Sequence, residues 1–318
     1  MGNQTQVSEF ILLGFPGLSE RYDVPVSIGL FITYVTSLFA NATVILLVIC
    51  NRHLHLPMYV ILANLAASDL LFDTITLPKI IAKYWFGAAS ISYCMCIFQL
   101  FCVHYLGTLD AYIIMLMAID RYIAICQPLR YSLLMTNKVT GLLCFFFWII
   151  ASIIAVVAAI LDSNIPIYSK NKIKSCFCTN MAVTALACTD VTLEKKIIFC
   201  LAMLVLLLPF AFTIFSYIII LKAMCSRNHF ENWRKTLYTC STHLLVIGIY
   251  FVPRVFVYIS NQVQLFLDED LNVLLLCLYT FVPHVANPII YCLRTKEIRR
   301  TLGKFFRKIV LSVGVMMD

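Results

Sequence analysis

Long apolar stretches dominate the pattern of hydrophobic and polar positions along this chain, after a short mixed segment at residues 1–23. Seven such stretches follow one another: Val24–Cys50, Leu56–Ala82, Ile91–Cys126, Val139–Leu161, Ile197–Leu221, Thr236–Asn261 and Leu271–Leu293. Each reaches or exceeds the roughly 20 residues that a helix needs to cross about 30 Å of hydrocarbon. Because backbone groups cannot bond to water inside a bilayer, helices are the expected form of a spanning segment. The pattern predicts an all-α membrane protein, with a bundle of seven transmembrane helices over residues 24–293.

The last part of the chain, residues 294–318, has a different periodicity. Thr295 can cap a short helix, and the apolar positions that follow have helical spacing: Ile298, Leu302, Phe305, Phe306 and Ile309. Basic residues occupy the opposite face, as in amphipathic helices that lie in the membrane interface. We expect a short amphipathic helix and a cytoplasmic tail, with a disordered basic tail as the alternative.

The composition favours a membrane protein over a soluble one. Of 318 residues, 62% are hydrophobic and 13% are charged, and the mean hydropathy is +0.91. A soluble domain of this size could not bury so much apolar surface. The net charge of +8 is concentrated near the C-terminal end, where it favours contact with lipid headgroups. We therefore expect membrane lipids as partners and no nucleic acid.

The distribution of basic residues predicts the orientation in the membrane. If the C-terminus is cytoplasmic, 15 of the 24 Lys and Arg residues lie on the inner side, where such residues are enriched. The N-terminus would then be extracellular, and Asn3 in Asn3-Gln4-Thr5 would be a glycosylation site. No basic segment followed by an apolar core begins the chain, so we expect the first span to direct insertion without a cleaved signal peptide.

Cysteines on the predicted outer side suggest disulfide bonds, because that compartment is oxidising. Five of the 14 cysteines lie there: Cys94, Cys96, Cys176, Cys178 and Cys188. A bond from the outer end of the third stretch to the long loop 162–193 would hold that loop over the mouth of the bundle. Cys96–Cys178 is the favoured pair, and Cys176–Cys188 is a candidate second pair, although the connectivity stays open at this level.

Asp120-Arg121-Tyr122 ends the third stretch and places a carboxylate beside a guanidinium near a membrane surface. These charges are costly there unless they pair or reach water, so a change of partner can act as a switch. The alternative is an ordinary arginine that extends from a helix end to the interface.

Two carboxylates, Asp69 and Asp110, lie in the middle of the second and third stretches. A carboxylate at that depth costs about 2.5–3.5 kcal/mol to insert and must face the interior of the bundle. With Asn41 and Asn287 nearby, the pair would form an oxygen-rich site that suits a hard cation. The alternative is that one carboxyl is protonated and hydrogen-bonded.

Arg254 lies roughly 12 Å below the outer end of the sixth stretch, at about 1.5 Å rise per residue. Its guanidinium cannot lose a proton, so it needs an anion or several acceptors. A ligand carboxylate is one candidate, and extension to the membrane surface is another. The internal candidates are Asp162, Glu194 and the acidic run Asp268-Glu269-Asp270.

Six motifs occur in order along the chain: Pro57-Met-Tyr59, Met117-Ala-Ile-Asp-Arg-Tyr-Ile-Ala-Ile-Cys126, Pro128-Leu-Arg-Tyr131, Ser216-Tyr217, Lys235-Thr-Leu-Tyr-Thr-Cys-Ser-Thr-His243 and Asn287-Pro-Ile-Ile-Tyr291. With seven predicted spans, this set resembles the signature of vertebrate odorant receptors within the rhodopsin-like G-protein-coupled receptors. His104 and the loop around Cys178 resemble the class I, fish-type branch. That family's loop has a cysteine near Tyr168, whereas this chain has an extra one at Cys176.

The resemblance implies an odorant receptor of the plasma membrane that is not an enzyme and that activates a stimulatory, olfactory-type G protein to raise cyclic AMP. The implied pocket for a small, polar or carboxylate-bearing odorant comprises His104, Thr108, Met181, Tyr250, Phe251, Arg254, Tyr258 and Tyr279. The implied activation and coupling residues are Asp120, Arg121, Tyr122, Tyr217, Asn287, Pro288 and Tyr291. In this family the place of Asp69 and Asp110 holds sodium in the inactive state, and we expect no other cofactor.

Two other classes of membrane protein fit the sequence less well. A transporter would favour inverted repeats with helices broken at matching positions, and the sequence has no internal repeat. An intramembrane hydrolase would need a nucleophile with a base at helical spacing or a His-Glu metal motif, and neither occurs. Among receptors, one for a different kind of small molecule is the alternative.

Overall fold

The computed structural model describes residues 7–168, 170–226, 230–262 and 268–304, except the side chains of 224–226, 230–240 and 261–262. Seven helices among these residues are long and apolar enough to cross a membrane, which confirms the predicted bundle. They are α1 (Asp23–Cys50), α2 (Pro57–Phe86), α3 (Tyr93–Cys126), α5 (Asn137–Ser163), α7 (Thr192–Ser226), α8 (Phe230–Gln262) and α9 (Glu269–Arg294). Two short helices, α4 (Tyr131–Leu134) and α6 (Asn180–Thr184), lie in the connections. Asn3, the predicted glycosylation site, lies outside the described residues.

Local sequence signals explain where several of the long helices begin and end. Pro57 occupies the first turn of α2, where an N–H group would have no partner within the helix. Gly87 follows α2 with φ of 68°, a left-handed conformation that glycine adopts without steric cost. Ser92 caps α3, because its side chain accepts a hydrogen bond from the backbone N–H of Met95.

The central helix of the bundle is α3, which packs against α2, α5 and α7, while α9 packs against α1 and α8. The buried face of α3 carries aliphatic side chains such as Leu109, Ile113 and Leu116. In contrast, α5 and α7 present large apolar side chains outward, for example Phe145 and Phe215. Exposed apolar faces on helices of this length suit contact with lipid. The chain is therefore a multi-pass membrane protein.

A small sheet covers one end of the bundle, which we call the pocket end. Its central strand, β1 (Glu9–Leu12), is antiparallel to β2 (Ser90–Ser92) and parallel to β3 (Lys172–Ile173). Phe10 of β1 is fully buried in a separate apolar cluster beneath the sheet. No element was predicted in residues 1–23, because a four-residue strand with partners far along the chain leaves no periodic signal.

Residues 296–304 form helix α10 at the opposite end, which we call the Asp-Arg-Tyr end. Ile298 is buried against the bundle, and the hydroxyl of Tyr59 donates to the carboxylate of Glu297 at 3.3 Å. The prediction of a short C-terminal helix is confirmed, and part of its apolar face packs on the helices above it. The remaining apolar positions of that face, Phe305, Phe306 and Ile309, lie outside the described residues.

Candidate functional site

A cavity of about 1170 Å³ opens at the pocket end, between α3, α7, α8, α9 and the loop that leads into α6. Its volume is large enough for a small-molecule ligand. Seven of the eight predicted binding residues line it: His104, Thr108, Met181, Tyr250, Arg254, Tyr258 and Tyr279. Residues four apart share one face of a helix, which is why Tyr250, Arg254 and Tyr258 all face the cavity.

Phe251, the eighth predicted binding residue, is absent from the lining of this cavity. It is fully buried, and its ring stacks on that of Phe210 with the centroids 5.0 Å apart. Successive residues of an α-helix point about 100° apart, so Phe251 cannot share the direction of Tyr250. The structure therefore corrects this prediction: Phe251 is a packing residue between α7 and α8.

Arg254 is a buried charged group of the cavity wall, only 7% exposed. The other charged residues of the wall are exposed: Lys170, Lys172, Lys174, Lys195 and Glu269. Its Nη1 donates a hydrogen bond to the backbone carbonyl of Tyr250 at 3.1 Å. Its Cζ lies 3.8 Å from the ring centroid of Tyr250 and 5.4 Å from that of Tyr279. Aromatic faces attract a guanidinium but do not neutralise it. The Tyr250 carbonyl and the rings of Tyr250 and Tyr279 therefore hold the arginine in place without neutralising its charge.

No carboxylate of the described residues lies within 4.0 Å of the Arg254 guanidinium. Three of the acidic candidates have other partners: Asn180 for Asp162, Lys174 for Glu269 and the Gly17 N–H for Asp270. The burial of Arg254 also argues against extension to the membrane surface. Of the alternatives that the sequence left open, a ligand anion fits the structure best.

His104 lines the same cavity, with its Nε2 3.4 Å from Oδ2 of Asp162. The second oxygen of Asp162 accepts a hydrogen bond from Asn180 of α6. One ring nitrogen of His104 therefore faces a fixed carboxylate. The sequence analysis considered Asp162 only as a partner for Arg254. Asp162 is a single carboxylate that directly follows the uncharged fourth stretch, and this position was the available sign of a buried polar contact. The sequence could not show that His104 is its partner, because helix packing decides that.

Asp69 and Asp110 meet in the middle of the bundle, and His284 of α9 lies between them. Its Nε2 is 3.6 Å from Asp69 Oδ1 and 3.7 Å from Asp110 Oδ2, and its Nδ1 is 2.7 Å from Asp73 Oδ1. All four side chains are buried. The sequence analysis did not include Asp73 or His284 in this site. Helical spacing was the missed signal for Asp73, which lies four residues after Asp69, whereas the approach of His284 to these carboxylates comes from the packing of α9.

The oxygens of this cluster fit the sodium ion that the family resemblance implies. Several of them accept no hydrogen bond from the described chain: Asn41 Oδ1, Asp69 Oδ1, both carboxylate oxygens of Asp110 and Asn287 Oδ1. Buried oxygens of this kind suit a hard cation. His284 Nε2 lies against two of the same carboxylates. An ion would therefore share these carboxylates with an imidazole, which the sequence analysis did not foresee.

Asp120 and Arg121 pair at the Asp-Arg-Tyr end, with Nη2 of Arg121 3.5 Å from Oδ2 of Asp120. The buried Asp120 also accepts a hydrogen bond from the hydroxyl of Tyr131 at 2.8 Å. Burial, followed by the charge of Asp120, raises the pKa of Tyr131 above its usual range, so the phenol stays protonated and donates. Tyr122 is half-buried beside the pair. Arg121 is therefore paired with Asp120 and is not a lone arginine at the interface, and its role as a switch stays a prediction.

The other predicted activation residues lie on α7 and α9. Tyr217 is buried on α7, and three residues are buried on α9: Asn287, Pro288 and Tyr291. The hydroxyl of Tyr291 lies 3.4 Å from Nδ1 of His243 on α8 and 3.7 Å from Sδ of Met117 on α3. Tyr291 therefore joins three helices below the polar cluster.

The predicted disulfide Cys96–Cys178 is present and ties the loop before α6 to the start of α3. The proposed second pair, Cys176–Cys188, is wrong, because these two cysteines are not bonded to each other. The Sγ of Cys176 lies instead 3.6 Å from the Sγ of Cys277 on α9. Cys277 falls inside an apolar stretch, so sequence alone presented it as an ordinary spanning residue.

Comparison with known proteins agrees with the geometry. The family model described as "Olfactory receptor" matches residues 30–308. The chain is 34% identical to Olfactory receptor 1M1 of Mus musculus, over 98% of each protein. It is 33% identical to Olfactory receptor 2AT4 and to Olfactory receptor 52B2, both of Homo sapiens, over 93% of this chain and 92% of each relative.

These relatives match over nearly the whole chain, at similar identity. They do not distinguish the class I, fish-type branch, which stays a prediction. The match does agree with the seven spans and with the pocket at one end of the bundle. This protein belongs to the olfactory receptor family of G-protein-coupled receptors, which are not enzymes.

Proposed function

We propose that this receptor detects small odorants with a carboxylate group and activates a stimulatory, olfactory-type G protein that raises cyclic AMP. Arg254 carries the proposal, because it is a buried cation on the wall of the cavity without a carboxylate partner among the described residues. Arginine stays protonated at any physiological pH. A carboxylate can bond to its planar fork with two parallel hydrogen bonds.

The rest of the cavity wall suits the apolar body of such a ligand. Tyr258 and Tyr279 flank Arg254, and aliphatic side chains such as Val205, Leu206 and Val257 complete this wall. A cavity that is mostly apolar, with few polar groups at one place, orients a ligand by its polar end. His104 offers a second polar contact, restricted by its pairing with Asp162. We therefore propose a short-chain or aromatic acid as the ligand.

Signalling in this proposal follows from a shift between two arrangements of the bundle. A ligand moves such an equilibrium only by the difference in its affinity for the two arrangements. The arrangement described here has Arg121 paired with Asp120. In the other, Arg121 leaves Asp120 for Tyr217, and α8 moves away from α3 to open a cleft for the G protein.

The same proposal places the receptor in the plasma membrane, with the pocket end extracellular and α10 cytoplasmic. The excess of Lys and Arg at the Asp-Arg-Tyr end and in α10 supports this orientation. The cavity then opens to the side from which odorants arrive. A receptor for another small molecule would share this architecture and differ in the groups around Arg254.

A cyclic AMP reporter assay in cells tests the ligand class. Acids and their methyl esters are compared on wild type, Arg254→Ala and Arg254→Lys. A hydrogen bond between charged groups contributes about 1.5–3 kcal/mol to binding. We therefore expect Arg254→Ala to raise the half-maximal concentration of acids by about 10- to 100-fold. Arg254→Lys should retain part of the response to acids, because it keeps the positive charge but cannot form the two parallel hydrogen bonds of a planar guanidinium.

The matched control is Arg21→Ala, which removes an exposed arginine that does not line the cavity and should change neither response. Surface labelling normalises the signal for the amount of receptor. Equal loss of response to acids and esters in Arg254→Ala would show that Arg254 maintains the structure instead of recognising charge. Arg121→Ala should abolish cyclic AMP signalling at normal surface levels, and a retained signal would overturn the coupling assignment.

A further inference from the structure

Two cysteines that play no part in the proposed ligand recognition lie in contact at the pocket end. Cys176 belongs to the loop before α6, and Cys277 belongs to the half of α9 nearest that loop. Their sulfur atoms are 3.6 Å apart. Cys176 is 0% exposed and Cys277 is 8% exposed. A disulfide bond of about 2.05 Å needs an approach of about 1.5 Å from this distance.

We propose that Cys176 and Cys277 form a second disulfide bond in the mature receptor, in addition to Cys96–Cys178. This bond would join the loop to α9, while the first joins it to α3. The proposal uses the extracellular orientation of the pocket end, since only that side is oxidising. It does not depend on the identity of the odorant or of the G protein.

The packing around the loop holds Cys176 toward α9. Phe177, the residue between the two loop cysteines, lies between Phe72 of α2 and Phe281 of α9, with ring centroids 6.0 and 5.9 Å away. Edge-on contacts of this kind fix the direction of a ring. Residues 175–177 lie in a bend, so Cys176 and Cys178 are not held on one face, as residues two apart in a strand would be. The segment therefore offers Cys178 to α3 and Cys176 to α9.

The bond would form by exchange with a disulfide of an oxidoreductase or of oxidised glutathione in the secretory pathway. The thiolate of Cys176 attacks the oxidant's S–S bond, which forms a mixed disulfide and releases one thiolate. The thiolate of Cys277 then attacks the sulfur of Cys176 and releases the second thiolate. The two protons that leave the receptor's thiols protonate the two released thiolates, so the receptor loses two electrons and the oxidant gains two.

Oxidation belongs to folding and not to the finished structure. The hydrogen bond between the Cys176 and Cys277 thiols, together with complete burial, raises the pKa of the Cys176 thiol well above its usual range. A closed, protonated pair reacts slowly with an external oxidant. The exchange therefore takes place before the loop closes over the cavity.

The bond would lie directly behind the wall of the odorant cavity. Ser175 and Phe177 line the cavity on the loop side, and Val273, Leu276 and Thr280 line it from α9. Covalent attachment of the loop to both α3 and α9 restricts how far these two walls can separate. The bond thus limits the shape of the cavity as well as the stability of the receptor.

Peptide mapping of the purified full-length receptor tests the proposal. The protein is denatured and alkylated without reductant, then digested with trypsin and chymotrypsin. Chymotrypsin cuts after Phe177 and so separates Cys176 from Cys178. We expect most of the Cys277 to be recovered in a peptide linked to Cys176, and none of it in Cys176→Ser. Recovery of Cys277 in alkylated form, in equal amounts from wild type and Cys176→Ser, would overturn the proposal, as would a Cys176–Cys188 link.

Thermal stability gives a second readout on the same variants. Cys277→Ser and Cys176→Ser should each lower the melting temperature by roughly 5 °C or more, and the double variant should fall no further. Cys188→Ser, which alters an exposed cysteine of the same loop, is the control and should leave the Cys176–Cys277 peptide unchanged. Additive losses in the double variant would show two independent packing effects and no bond. If the variants do not fold, mapping of the wild type decides.

Discussion

The hydroxyl of Tyr250 donates a hydrogen bond to the backbone carbonyl of Gly107 at 2.7 Å, which joins α8 to α3. The same side chain carries the guanidinium of Arg254 over its ring, with Cζ 3.8 Å from the centroid. One residue thus contacts both the proposed anion-binding group and the helix that ends in Asp120-Arg121-Tyr122. In the proposed function, a ligand bound to Arg254 would act directly on the contact between these two helices.

Tyr250→Phe should raise the basal cyclic AMP signal. The substitution removes the bond to Gly107 and keeps the ring beneath Arg254. A net contribution of about 0.5–1.5 kcal/mol, lost only from the arrangement described here, shifts the equilibrium about two- to tenfold toward the other arrangement. The measurement is ligand-free reporter activity per receptor at the cell surface.

The control for Tyr250→Phe is Tyr168→Phe, which removes a hydroxyl from an exposed loop residue. It should leave basal activity unchanged. A basal signal that stays at the wild-type level in Tyr250→Phe, at equal surface expression, would mean that the bond to Gly107 is made equally in both arrangements.

Tyr131→Phe should also raise basal activity, through the other end of α3. Its hydroxyl donates to Asp120 and so stabilises the carboxylate that holds Arg121. A hydrogen bond to a charged group contributes about 1.5–3 kcal/mol, so its loss favours release of Arg121 by roughly tenfold or more. Reporter activity without ligand measures the effect. A decrease of basal activity, with normal response to ligand, would contradict this role.

His284→Ala should make the stability of the purified receptor depend on sodium. The imidazole lies against Asp69, Asp73 and Asp110, all of them buried. Removing one partner from a buried charged cluster costs about 3–5 kcal/mol unless another cation compensates. A sodium ion can bind the oxygens that the imidazole leaves, so sodium chloride should raise the melting temperature of His284→Ala by several degrees more than that of wild type.

Choline chloride at equal ionic strength controls for screening by salt, since its cation is too large for the cluster. It should not restore His284→Ala. Equal gains from sodium in wild type and His284→Ala would show that the ion and the imidazole do not compete for the carboxylates. In that case the sodium site lies elsewhere or the cluster binds sodium with His284 in place.

Much of the candidate site could be predicted from the sequence because helical spacing carries over directly into three dimensions. Tyr250, Arg254 and Tyr258 are four residues apart, so a helix assignment already places them on one face. Phe251 was assigned to the cavity because it is aromatic, without regard to the direction in which its side chain points. It packs against Phe210 instead. A strict use of the 100° rotation per residue would have separated it from Tyr250.

Partners contributed by other helices could not be predicted in this way. His284, Asp162 and Cys277 each lie far along the chain from the residue they contact. Their partners depend on how helices are rotated and shifted against one another. That relation comes from the packing of whole faces, which no short window of sequence contains.

The apolar stretches by themselves determined seven crossings, the amphipathic spacing near the C-terminus predicted the short final helix, and the ordered motifs identified the receptor family. The reason is that a bilayer forces each crossing to satisfy its backbone within one helix, so length and hydropathy suffice. Only the tertiary structure decided that His284 enters the carboxylate cluster, that Cys176 faces Cys277, and that residues 9–12 form a strand. These are contacts between distant segments, and their geometry is set by side-chain packing across the bundle.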